Sequence, residues 1–116
     1  MRNLQLESEI CEAIQSHSVI RFYYRDQTYF RTFEPYIIYR SDVGKVLVVG
    51  KQRRDDSQPE KPPQPHKFEV ALIFAPSLDI TPYTFDYDTR FDPNREEYRG
   101  RTICVIQPVK IPKYRT

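Results

Sequence analysis

The 116-residue sequence predicts a mainly β (β-rich α+β) domain: a small barrel or strongly bent antiparallel sheet with an N-terminal helix and a C-terminal extension. Three observations predict it. β-Branched and aromatic residues gather in five or six short runs bounded by Pro, Gly, Asp and Ser, with no strand–helix alternation. Nine Tyr and seven Phe accompany ten Pro and only three Gly, a balance that favours proline-marked turns over a helical bundle. Only residues 4–16 carry a convincing helical period. The length fits one domain over 1–116: a helix at 1–16, a barrel at 17–85 and an extension at 86–116.

In the helix, Leu6, Ile10, Ala13 and Ile14 make one apolar stripe, and acidic residues in the first half suit the helix dipole. Residues 18–25 read as a strand with Ile20, Phe22 and Tyr24 on one face and Val19, Arg21, Tyr23 and Arg25 on the other. Asp26-Gln27-Thr28 is the expected turn, and 29–33 the return strand. Pro35 donates no backbone hydrogen bond, so it marks an edge, bend or bulge before 36–40 continue extended. Ser41-Asp42-Val43-Gly44 is a turn, and 45–51 a strand buried on both faces. Residues 52–66 are polar, proline-dense and aperiodic, hence expected as a flexible loop. Its Pro59-Glu60-Lys61-Pro62 and Pro62-Pro63-Gln64-Pro65 have PxxP spacing, a pattern met far more often in plain loops than in ligands for SH3 or WW partners. Residues 66–74 are expected as a strand, 93–98 as a short helix behind an Asp92 cap, and 102–106 as the last strand. The basic tail, 108–116, is expected to fray.

Composition excludes several classes. The longest apolar run, at 46–49, is too short for a membrane span, and Glu7, Glu9 and Glu12 break any leader-like stretch; a cytoplasmic protein with no membrane partner is the expectation. Cys11 and Cys104 stand alone, without CxxC or Cys/His spacing, so no metal is expected, and buried free thiols are the first reading, beside a long-range disulfide. His17 and His66 lie near no nucleophile motif, Glu34 has no matched acid/base partner, and no glycine-rich phosphate loop occurs; no catalysis and no cofactor are expected. The net charge of +2 is uneven: −2 over 1–16, +4 over 17–67, −4 over 68–100 and +4 over 101–116. Such asymmetry permits a basic face that steers an anion.

The order of elements, a short helix and then Ile20-Arg21-Phe22-Tyr23-Tyr24, Arg31-Thr32-Phe33-Glu34-Pro35-Tyr36, Gly44-Lys45-Val46-Leu47-Val48-Val49-Gly50 and His66-Lys67-Phe68-Glu69-Val70, resembles the WYL domain over roughly residues 8–85. Glu34-Pro35-Tyr36 after a hairpin is its most specific piece. The resemblance implies an SH3/Sm-like barrel that senses nucleic acid or a nucleotide-like ligand in transcription regulation. The sequence departs from the family where Trp is absent from the third strand and where Glu69, Ala71 and Leu72 occupy positions that the family gives to arginine, aspartate and arginine. A single helix before the barrel leaves no helix-turn-helix pair, which implies a stand-alone barrel or a partner acting in trans.

The candidate binding residues are Arg21, Tyr23, Arg25, Arg31, Arg40 and Lys67. Guanidinium and ammonium groups hold phosphate, and a tyrosine ring stacks a base, the combination that suits single-stranded nucleic acid or a nucleotide. The alternative is a protein-interaction module, a homodimer or a partner of a regulatory protein, using the barrel edge or the aromatic stretch 83–98.

Overall fold

The computed structural model describes residues 2–108. Helix α1 (Leu4–Gln15) precedes six strands: β1 (Ser18–Phe22), β2 (Arg31–Arg40), β3 (Val46–Asp55), β4 (Gln64–Glu69), β5 (Asp79–Thr84) and β6 (Thr102–Val105). Single 3₁₀ turns occupy Val70–Leu72, Ala75–Ser77 and Glu96–Tyr98, the last where a short helix was expected. The tail beyond residue 108 lies outside the described residues.

All strands pair antiparallel in one sheet ordered β4-β3-β2-β1-β5. The long β2 pairs along one side with β3, while its other side is shared by β1 (opposite 31–33) and β6 (opposite 37–39). The sheet curls: beyond β1, Tyr24 bridges Ile73, and Arg25 N–H and Phe74 N–H bond the Leu72 and Tyr23 carbonyls. Strand pairing does not close the ring, so the molecule is a strongly bent sheet rather than a closed barrel among the described residues. Both outer strands carry a proline, Pro65 in β4 and Pro82 in β5. Proline withholds a ladder donor, which blunts a sheet edge against a second strand.

α1 forms as its stripe predicts. Asn3 caps it by accepting from Leu6 N–H at 3.0 Å, and Leu6, Ile10, Ala13 and Ile14 are buried. The helix stops at His17, whose φ of +54° turns the chain in the left-handed region. The His17 ring is wholly buried, with Nε2 2.8 Å from the Gln107 carbonyl and its plane stacked on Phe85. This residue therefore ties the helix end to the segments after β5 and β6.

Two cores use the two faces of β2. The inner one joins α1 to Ile20, Phe22, Phe33, Ile38, Val48 and Phe68, with the Phe68 ring edge-on to Phe22 and Phe33 at 5.0 Å each. The outer one covers Ile37 and Tyr39 with Tyr98, Phe91 and Val49. The C-terminal excursion thus lies on the sheet face opposite α1.

Three further expectations need correction. Residues 66–74 are not one strand: β4 ends at Glu69 and a 3₁₀ turn follows over Val70–Leu72. Residues 52–66 are not one flexible loop: β3 runs to Asp55 and β4 starts at Gln64, leaving only 56–63 between them. Cross-strand partners for Gln52, Arg54 and Asp55 extend the ladder past the apolar run. Cys11 and Cys104 are not free thiols but a disulfide, since α1 packs against β6 and brings their Cα atoms to 5.8 Å. The cysteines therefore lend no support to the expected cytoplasmic location, where disulfides are rare. No helix among the described residues is long and apolar enough to cross a membrane.

Candidate nucleic-acid interface

The alternation in β1 sends Ile20, Phe22 and Tyr24 into the core and leaves Arg21 and Tyr23 on the outer face. Strand register then builds a row. Arg21 stands opposite Thr32 in β2, Thr32 opposite Arg54 in β3, and Asp79 of β5 flanks Arg21 on the other side. A register shift beside Thr32 and Phe33 puts Arg54, rather than Arg53, into this row.

Phe30 completes the surface. The Arg21 guanidinium lies 4.0 Å over its ring, and the Tyr23 ring is 4.6 Å away by centroids. Asp56 neutralises part of the charge, meeting Arg54 at 2.8 Å and Arg21 at 4.0 Å. Arg21 keeps 38% of its side-chain surface in solvent and Arg54 58%. Such exposed pairs are weak and exchange readily with a phosphate. Two exposed rings stand near it in the chain: Tyr29, the sequence neighbour of Phe30, and Phe74, whose backbone N–H bonds the Tyr23 carbonyl.

The six predicted residues do not form one site. Arg21 and Tyr23 meet at Phe30. Arg25, exposed at a φ of +59°, sits at the turn after β1 with its guanidinium 5.5 Å from the Tyr24 ring. Arg31 faces the other way, in register with Phe22 and Asp55. Its side chain is 12% exposed, pairs with Asp55 at 3.6 Å, donates to Gln52 and Gln27, and lies over Phe68. It plugs the end of the inner core. Arg40 closes β2 at the far end, where its N–H bonds the Arg101 carbonyl. Lys67 is on the outer face of β4, bound to Glu97 at 3.2 Å, and Glu97 also accepts from Tyr39.

Phe30, Arg54 and Asp56 are not among the six candidates. Arg54 carries its own signal, a basic residue inside the Arg53-Arg54-Asp55-Asp56 run, but only the strand register shows that it neighbours Arg21. Asp55 illustrates why the inner side is structural. Burial pushes its carboxyl up, but the Ser57 hydroxyl and N–H, with Arg31 behind them, outweigh that and leave it below the usual range. Among the described residues no three His, Cys, Asp or Glu side chains gather as a metal cluster. No protein-family model, curated protein or solved structure matches the chain.

Proposed function

We propose that this chain is a regulatory binding module rather than an enzyme, and that it holds single-stranded nucleic acid on the outer face of β1. The observation that carries the reading is the Arg21–Phe30–Tyr23 cluster beside Arg54, an arginine row with rings at its edge. Arg21, Arg54 and the exposed Arg25 take phosphates by displacing Asp56, while Tyr23, Tyr29 and Phe74 offer ring faces to bases. Stacking on rings is tolerant of sequence, so the module reads strandedness more than base identity. The likeness in element order to the WYL domain, and a strand order in which β5 flanks β1 while β2, β3 and β4 follow as a meander, support an SH3/Sm-like, WYL-type sensor. The prolines in β4 and β5 count against one form of the competing reading, dimerisation through either of those two sheet edges.

The test is binding of a labelled single-stranded oligonucleotide by fluorescence polarisation. Replacing Arg21 and Arg54 together by Ala should weaken binding at low salt at least tenfold, since a charge-assisted hydrogen bond contributes about 1.5–3 kcal/mol. Arg31→Ala is a poor probe, because Arg31 closes the core. Unchanged affinity in the double variant would reject this face.

A further inference from the structure

The outer face of the sheet holds a second feature, separate from the arginine row. Between β3–β4 and the 88–98 segment lies a cleft of about 550 Å³, inside the range of roughly 300–1,000 Å³ that small-molecule sites occupy. Val49 and Pro65 form one wall, Phe91 and Tyr98 the other, with Tyr36 between them. The Tyr36 hydroxyl donates to the Asp86 carbonyl and accepts from Asp88 N–H, so its ring is fixed.

Most of the charges lining this cleft stand in surface ion pairs, as weak as those of Asp56. Arg90 holds Asp88 through two side-chain bonds, and Arg95 meets Glu97 at 3.1 Å. Asp92 accepts from Asn94 N–H. Glu34, behind the cleft, is paired with Arg53 at 3.4 Å. Lys51 is different: it lines the cleft, partly buried, and its ammonium makes no hydrogen bond and no ion pair within 4 Å among the described residues. Glu34 and Asp88 reach it electrostatically, but each has a nearer cation. A half-buried lysine whose carboxylate neighbours, Glu34 across the ladder and Asp88, are each held by another cation stands beside aromatic and proline side chains, an arrangement suited to an anion with a flat apolar body.

We propose that this cleft binds a small planar anion, an aromatic ring system bearing one phosphate or carboxylate, with Lys51 as the anion's partner and Phe91 and Pro65 enclosing the ring. The site is independent of the oligonucleotide face: its cation is Lys51, and none of its lining residues is Arg21, Tyr23, Phe30 or Arg54.

The experiment titrates the isotopically labelled full chain with adenosine 5′-monophosphate and indole-3-acetate, with adenosine and inorganic phosphate as the two half-ligands, following backbone amide signals. Supporting results are shifts at Gly50, Lys51, Gln64 and Phe91 with either intact probe, weaker binding of both half-ligands, and a loss of about tenfold or more in Lys51→Met, the factor that one charge-assisted contact implies. The Arg21→Ala/Arg54→Ala variant should bind both probes normally, which separates failure of this site from failure of the nucleic-acid face. Absence of shifts at millimolar probe, unchanged affinity in Lys51→Met, or inorganic phosphate binding as tightly as the nucleotide would each overturn the proposal.

Discussion

Gly50 stands opposite Pro35 where β2 bulges at Tyr36, and a Cβ at this position would overlap the Glu34 carbonyl and press on the Phe33 ring. The glycine is needed for close backbone approach, not for a turn. Gly50→Ala should cost about 3 kcal/mol or more, because neither backbone nor a packed ring yields cheaply; tyrosine fluorescence through a denaturant titration reads it, and an unchanged midpoint would refute the account of the bulge. Glu34, in the same place, behaves oppositely to Asp55. Burial pushes its carboxyl up, with Arg53 and Lys51 only partly compensating. A folded-state value above the unfolded one means stability is fully present below the ordinary carboxylate range and lost as pH rises through the folded value. Glu34→Gln should therefore gain on the wild type between pH 4 and pH 7, as measured by paired denaturation curves; a variant that instead lost ground over that interval would reverse the sign.

At the scale of elements, the disulfide joins α1 to β6 across a sequence separation of 93 residues. β6 pairs with other strands only over 102–105, so its hold on the sheet is short. Replacing both cysteines by Ser should lower stability by between about 2 and about 5 kcal/mol, the span expected for closing a loop of this size. Loss of helix amide protection from hydrogen exchange would accompany it; a double variant as stable as the oxidised chain would show that helix packing alone suffices.

The elements also show what could be read in advance. The α1 stripe and the inward face of β1 are written in side-chain type, because burial selects for it, and both appear as expected, whereas Val19, expected on the outer face, is buried as well and the strand ends at Phe22 rather than at Arg25. The direction of Arg31 was not legible. Both faces of the first hairpin carry aromatics, and the turn between its strands has no glycine to fix its type; the positive φ falls on Arg25. Only the resulting register puts Arg31 beside Phe22 and Arg21 beside Thr32. The disulfide was legible only as one of two options, since nothing local brings Cys11 to Cys104.

At the scale of the whole molecule, α1 covers one face of the bent sheet and the 86–98 excursion covers part of the other. What stays open on that outer face is the arginine row at the β1 end and the cleft around Lys51, with the Glu34–Arg53 pair between them. The cleft could not be foreseen, because residues 86–98 have no periodicity and acquire a place only by packing on Tyr36, Ile37 and Tyr39 of β2. The basic row was half foreseen: Arg21 and Tyr23 belong to it, whereas Lys67 is tied to Glu97 and Arg40 lies at the opposite end of β2.

The salt dependence of oligonucleotide binding tests the central claim most directly. Each phosphate held on a single strand contributes about 0.7 to the slope of log affinity against log salt. The intact chain should bind at low salt and weaken steeply as salt rises, and the Arg21→Ala/Arg54→Ala variant should show a slope shallower by about 1.4. Binding that is indifferent to salt, or a double variant with the parent's slope, would contradict an Arg–aromatic nucleic-acid face on β1.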